Sequence, residues 1–448
     1  MLSQSELART ADRPGSADEP RKVSLMRIAP ARSSHLTNIA LLIIGLGGGQ
    51  GVIFAVQTWL VAQGELELLS RFGTHYSFAI LGIILTDGGA STILAREMAR
   101  FSGGESAADE FWRIFSETVL FRLSMATLIA TGALIYGLVI TSDGFSRAYV
   151  LCALPGLLLW AGNVVGLLDG LGLSGISGIT GALAYAASAI ALAVVQKASP
   201  ELAGSILGGA FSGGYLLTVL AQWMVLRRCG WPIRTEKVTA TGLAQAFRNG
   251  SAMLFQLLPG QIGLRIQLAL SATYLGPETT AVFTYVKQII TAVTMIVNVV
   301  LRVEFPGLVQ QISRTSSQRF RTILAAHKTS IGCVVAFAAG AIIVSSLSYM
   351  MPPNRFSAAG HALLLFAPTI LTISLSMMMM QTMVARGEYA RVAGITAAGA
   401  ALGIAVSYVF VTIAGLYAFL AGELAFHLLA FVLMYRSLLR GGRPSYQS

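Results

Sequence analysis

Twelve stretches of about twenty or more largely apolar residues run through this chain of 448, separated mostly by short polar connections. They fall near 36–62, 73–95, 116–141, 146–168, 174–196, 202–226, 249–274, 281–303, 326–350, 361–385, 391–413 and 415–437. A hydrocarbon core about 30 Å thick needs about 20 apolar residues for one helical crossing. Within that core the backbone must satisfy its own hydrogen bonds, which a helix does. The pattern predicts an all-α integral membrane protein with twelve transmembrane helices. Only 11% of the residues are charged, against about 25% in soluble domains. Connections this short make neighbouring helices antiparallel and leave no room for a soluble domain.

The chain also repeats itself. Gly49-Gln50-Gly51 in the first stretch returns as Gly260-Gln261 in the seventh, and Pro155 in the fourth as Pro368 in the tenth. Arg96-Glu97 closes the second stretch as Arg302-Val303-Glu304 closes the eighth, and Phe111 and Ile114 reappear as Phe320 and Ile323. A nearly constant offset predicts two six-helix lobes. Six is even, so both lobes enter from the same side. The pseudo-two-fold relating them then runs along the membrane normal. The expected organisation is a disordered tail over 1–35, an N-terminal lobe over 36–226, a basic linker over 227–248, a C-terminal lobe over 249–437 and a tail over 438–448. The first tail is rich in Ser, Pro, Arg and Asp and has no apolar period.

Charge orients the bundle. Of 31 lysines and arginines, Arg71, Arg147, Lys197 and Arg355 fall on one side, while Arg122, Arg265 and Lys287 lie within apolar stretches. The rest fall on the side of the termini, which the positive-inside rule assigns to the cytoplasm. The net charge of +11 is therefore mostly topology. No aromatic-basic patch outside the bilayer suggests nucleic acid, and the basic loops at most meet anionic membrane lipids. No short apolar segment with a cleavage site precedes the first helix, so no secretory signal peptide is expected. Cys152, Cys229 and Cys333 lack CxxC spacing and predict neither a disulfide framework nor a metal site. There is no phosphate loop with lysine, no HExxH and no recognisable nucleophile setting, so neither an enzyme nor a cofactor is expected.

Three stretches of the first half carry a family resemblance: Gly-Gly-Gly-Gln-Gly-Val-Ile-Phe (47–54), Asp87-Gly88-Gly89-Ala90-Ser91 and Leu94-Ala95-Arg96-Glu97-Met98-Ala99-Arg100. Glu304-Phe305-Pro306 and Ala385-Arg386-Gly387 add to it from the second half. In this order, over about residues 36–440, they resemble the polysaccharide-transporter branch of the multidrug/oligosaccharidyl-lipid/polysaccharide (MOP) exporter superfamily. That resemblance implies a Wzx-like flippase in a bacterial inner membrane, moving an undecaprenyl-pyrophosphate-linked oligosaccharide for O-antigen, capsule or exopolysaccharide. A polysaccharide polymerase and glycosyltransferases of the same pathway are the partners it implies. One departure stands out: Leu168-Asp169-Gly170-Leu171 lacks the basic residue present at the Arg386 turn.

The polar residues inside the apolar stretches are the candidate site. Lys287, Thr291, Thr294, Asn298 and Arg302 span about 80° of one helical face. They line a central cavity or make interhelical hydrogen bonds, with Lys287 snorkelling from the outer edge. Arg265 lies ~13 Å from the outer end of its helix, beside Gln261. A charge there costs at least ~2.5–3.5 kcal/mol unless it faces a cavity or a partner. Its fork suits phosphate or an acidic sugar; the alternative is a structural pair with Glu423. Arg122 lies nearer its cytoplasmic edge and reads as a snorkelling side chain. Gln50 and Gln57 share a face and either bind sugar hydroxyls or join helices. Pro259 and the Gly47–Gly49 run occupy equivalent places and permit bending or close packing. Asp87, Glu423 and His427 are candidates for ion coupling; Glu423 and His427, one turn apart, form a proton relay or a structural pair. Met377–Met380 reads as adaptable packing or a surface for a lipid tail.

Two further functions compete with the flippase. A multidrug exporter of the same superfamily, taking cations by antiport, calls for acids dominating the cavity. A membrane polymerase or ligase calls for larger external loops than 63–72 and 351–360.

Overall fold

The computed structural model describes residues 35–63, 65–101, 105–231, 234, 236–314, 324–350 and 357–440. Phe320, Ile323, the 1–34 tail and residues 441–448 lie outside that set. The described elements are helical: α1 (His35–Gln63), α2 (Leu66–Asp87), α3 (Ala90–Arg100), α4 (Glu105–Ile135), α5 (Gly144–Trp160), α6 (Val165–Gly170) and α7 (Ser174–Val194). They continue with α8 (Pro200–Arg228), α9 (Ala240–Tyr274), α10 (Gly276–Arg314), α11 (Lys328–Met350), α12 (Ser357–Ala385), α13 (Tyr389–Ala414) and α14 (Leu416–Arg440). Among the described residues eleven segments are long and apolar enough to cross a membrane. The 35-residue α9, with its internal Pro259 and Arg265, supplies the twelfth stretch. The architecture is an all-helical membrane bundle of two six-helix lobes, α1–α8 and α9–α14.

Two expected spans are broken. The second is interrupted after Asp87, where Gly88 (φ 51°) and Gly89 (φ 72°) adopt left-handed backbone that glycine enters without steric cost. Asp87 itself accepts from the Ser91 amide (3.3 Å) and hydroxyl (2.7 Å), tying the end of α2 to the first turn of the new helix α3. The fourth divides between α5 and α6, with the Asn163 amide group donating to the Trp160 carbonyl at the break. Its counterpart α12 is continuous through Pro368. α4 ends in a π-helical turn, Tyr136–Ile140.

The linker is shorter than the 227–248 expected. Thr239 caps α9 by accepting from the Gly242 amide, so the helix begins at Ala240. The Thr239 amide and hydroxyl in turn donate to Glu117 of α4. At the other end of the lobe α14 continues to Arg440, past the expected boundary at 437.

Each lobe has its own core. The N-terminal lobe packs one cluster around Tyr149, Phe145, Leu207 and Phe211 and a second around Trp112, Leu167 and Leu226. The C-terminal core gathers Phe283, Phe366, Phe419 and Met379, and α3 inserts Ile93, Ala95 and Ala99 into it. Met378 and Met379 are buried within this core, so the methionine run is packing rather than a lipid-facing surface.

Candidate functional site

The lobes meet at the end of the bundle where α1 and α9 begin. Leu42 of α1 packs on Val299 and Val303 of α10. Phe121 of α4 meets Phe247 of α9 with ring centroids 5.2 Å apart. Two arginines cross the seam. Arg302 of α10 donates from Nε (2.7 Å) and Nη2 (3.2 Å) to the Asp169 carboxylate of α6. Its Nη2 also donates to Ser177 Oγ at 2.9 Å, and Ser177 donates to Asp169 at 2.8 Å. Arg96 of α3 donates to the Ala385 carbonyl at the end of α12 (2.9 Å), and its guanidinium lies over the Tyr389 ring at 6.0 Å. Glu97 accepts from the same guanidinium.

Arg302 fixes the direction of the expected polar stripe. It points at the N-terminal lobe, and Asn298, Met295 and Thr291 lie on the same face of α10, successive turns further along. Where the face reaches α1 and α6 it is covered; at Asn298, Met295 and Thr291 it is exposed. Beyond the contact between the lobes the stripe is therefore exposed. Thr291 and Thr294 return their hydroxyls to the carbonyls of Lys287 and Thr291 on their own helix.

Lys287, at the far end of the stripe, turns into its own lobe. Its ammonium donates to Glu423 of α14, with the two side chains 12% and 7% exposed. Lys287 is thus an internal ion-pair partner, not a snorkelling residue. The expected alternative partner of Glu423, Arg265, does not hold this place. Around the pair lies a cavity of about 140 Å³, lined by Gly263, Gln267, Gly403 and His427 among others. Its volume accommodates several water molecules. Glu423 Oε2 and His427 Nδ1 are buried there and make no hydrogen bond among the described residues. The His427 ring stacks on Phe426 with centroids 4.4 Å apart.

Asp87 is far removed from this cluster in role: it belongs to the N-terminal lobe. Arg122, fully buried, donates to Asp87 (2.7 Å), Ser91 (2.9 Å) and the Asn163 carbonyl (3.0 Å). The expectation that Arg122 snorkels is overturned. The break after Asp87 and the break at Asn163 bring a carboxylate, a hydroxyl and a carbonyl to its guanidinium, which an unbroken pair of helices would not present.

Arg265 is exposed, on the face of α9 turned away from Gln267, which contacts Ser407 of α13. Gln50 is exposed on α1 and lies against Tyr185, while Gln57 is half-buried. The Gln261 side chain lies outside the described residues. Asp169, Ser177 and the cross-lobe reach of Arg96 are the interface residues that the sequence reading did not assign. The signal was present: Asp169 stands at the very turn where the second half has Arg386. Among the described residues no group of His, Cys, Asp and Glu is arranged to hold a metal.

Similar folds exist among solved structures. A MATE protein in a bent conformation superposes with TM-score 0.69 at 16% identity, over 91% of this chain and 96% of that one. An outward-facing multidrug resistance MATE transporter of the MOP superfamily gives 0.68 at 14% identity, over 90% and 95%. A MOP superfamily transporter from Pyrococcus furiosus, described as having a binding pocket of reverse polarity that suggests a different function, gives 0.66 at 14%, over 90% and 95%. No protein-family model matches the sequence, and no curated protein matches it. Superposition over nine-tenths of the chain gives this protein the fold seen in these MATE structures.

Proposed function

We propose that this protein is a flippase that carries an undecaprenyl-pyrophosphate-linked oligosaccharide from the cytoplasmic to the outer leaflet by alternating access. The observation that supports this most is the fate of the carboxylates. Asp87, Asp169 and Glu423 are each held by a basic side chain of the protein itself. The face of α10 beyond the lobe contact carries the exposed Asn298 and Thr291, and Arg265 is exposed on α9. Amides, hydroxyls and a guanidinium suit sugar and phosphate; a cationic drug finds no carboxylate waiting in that set. The Pyrococcus neighbour indicates that this fold hosts pockets of differing polarity.

In this reading the positive-inside charge puts the closed end at the cytoplasm. The headgroup leaves to the outside from between the lobes while its prenyl tail stays in lipid. An inside-negative potential favours outward movement of an anion by about 2.3 kcal/mol per charge per 100 mV. Arg265, Gln261, Gln50, Gln57 and Asn298 are the proposed substrate contacts, and Lys287 acts through its hold on Glu423. Membranes of a strain lacking the protein should accumulate the lipid-linked oligosaccharide on the cytoplasmic leaflet, with surface glycan lost. Unchanged glycan export, together with new sensitivity to cationic drugs, would reject the flippase.

That second outcome belongs to a cation exporter driven by a coupling ion. The cavity beside Glu423 Oε2 and His427 Nδ1 is the observation in its favour, since both atoms are buried there without a hydrogen-bond partner among the described residues.

A further inference from the structure

Arg96 and Arg302 are counterparts in the repeat. Each ends the second membrane span of its own lobe, and each reaches across to the turn between the fourth and fifth spans of the other. Arg302 takes the turn that contains Gly172 (φ 77°), through Asp169 and Ser177. Arg96 takes the turn that contains Gly387 (φ 81°), through the Ala385 carbonyl. Both acceptors stand at helix C-terminal ends, where the helix dipole adds to the attraction for a cation. We propose that these two arginines form a reciprocal latch that holds the lobes together at this end, and that both must let go before the bundle opens there. The proposal rests on the alternating-access reading but not on any substrate.

The two arms differ chemically, and the difference accounts for the departure at Asp169. The turn of the N-terminal lobe offers a carboxylate and accepts Arg302 bidentately, with Ser177 orienting the acceptor. A basic residue there would repel Arg302. The turn of the C-terminal lobe has Arg386, but Glu388 pairs with it at 2.9 Å. That leaves the Ala385 carbonyl and the Tyr389 ring face for Arg96. Gly387 makes the arm possible: a Cβ built there would come within 2.8 Å of the Arg96 guanidinium, and the backbone is left-handed. The apolar contact of Leu42 with Val299 and Val303 seals the seam beside the latch.

The test uses the full chain with Cys152, Cys229 and Cys333 replaced, and a single reporter cysteine. Leu42→Cys reports the closed end and Thr291→Cys the exposed face of α10 beyond the lobe contact. A membrane-impermeant maleimide is applied from each side of oriented vesicles. Arg96→Ala and Arg302→Ala should each raise labelling of Leu42→Cys, from the side where α1 begins, by about tenfold or more, the scale of one lost charge-assisted hydrogen bond. Labelling of Thr291→Cys from the opposite side should fall. Gly387→Ala should act like Arg96→Ala, and the exchange Arg302→Asp with Asp169→Arg should return labelling towards the parent. Three results would overturn the latch: unchanged Leu42→Cys labelling in the double arginine variant at normal abundance, labelling that rises at both reporters, or an exchange that rescues nothing. Because no substrate enters the measurement, failure of the latch leaves the flippase assay untouched, and the reverse also holds.

Discussion

Lys287 of α10 and Glu423 of α14 neutralise each other inside the C-terminal lobe. Removing one partner leaves an uncompensated buried charge, which costs about 3–5 kcal/mol, whereas replacing both with apolar residues of similar volume is often neutral. Lys287→Ala should therefore lower thermal stability in detergent far more than the double variant Lys287→Met, Glu423→Leu. Equal losses in the two would show that the pair is not what holds these helices.

The same cluster carries the coupling prediction. If Glu423 and His427 pass a proton, Glu423→Gln should make transport indifferent to a proton gradient while the protein remains folded. Gradient dependence that survives the change would leave the two residues as packing around the cavity.

Arg122 makes a sharper stability prediction. Its guanidinium serves Asp87, Ser91 and the Asn163 carbonyl at once. Lysine has a point charge without the planar fork. Arg122→Lys should retain part of the membrane abundance and Arg122→Ala should lose most of it, at a cost of about 3–5 kcal/mol. Normal abundance of the alanine variant would contradict the buried network.

Asp143, outside the spans, gives the pH dependence. It caps α5 by accepting from the amide and hydroxyl of Ser146, which with nearby Arg71 holds its carboxyl below the ordinary value of 3.8. A depressed folded-state value means that the charged cap stabilises above pH 3.8 and that its contribution fades as the pH falls through the folded-state value. Asp143→Ala should cost about 1 kcal/mol near neutral pH. Thermal unfolding of parent and variant should converge at low pH, and a gap that stays constant with pH would contradict the cap.

Much of this architecture was legible in the sequence because apolar length and backbone satisfaction leave a membrane chain few choices. The repeat carries the two lobes and pairs Arg96 with Arg302. What stayed hidden were the partners. Arg122 reads as snorkelling when its distance from the membrane edge is measured along a straight helix. The glycine break at 88–89 and the break at Asn163 are what surround it with acceptors. Lys287 falls on the cavity stripe by helical angle, yet its long stem lets the ammonium turn inward to Glu423. Asp169 looked like a departure from the pattern because its partner lies 133 residues away in the other lobe.

Arg265 tests the substrate site. Arg265→Ala should abolish surface glycan assembly while leaving the protein in the membrane, and Arg265→Lys should keep part of the activity. Loss of protein from the membrane in Arg265→Ala would make it a structural residue, and full glycan export would remove it from the site.

The most direct measurement is translocation by the purified protein. Liposomes containing it, loaded with an undecaprenyl-pyrophosphate oligosaccharide that bears a reporter on the sugar, are challenged from one side with an impermeant quencher. The account predicts that the protein moves the headgroup between leaflets, that an imposed potential biases its direction, and that Arg265→Ala stops it. Headgroups that remain in their leaflet in the presence of correctly folded protein, while a cationic dye is transported instead, would contradict it.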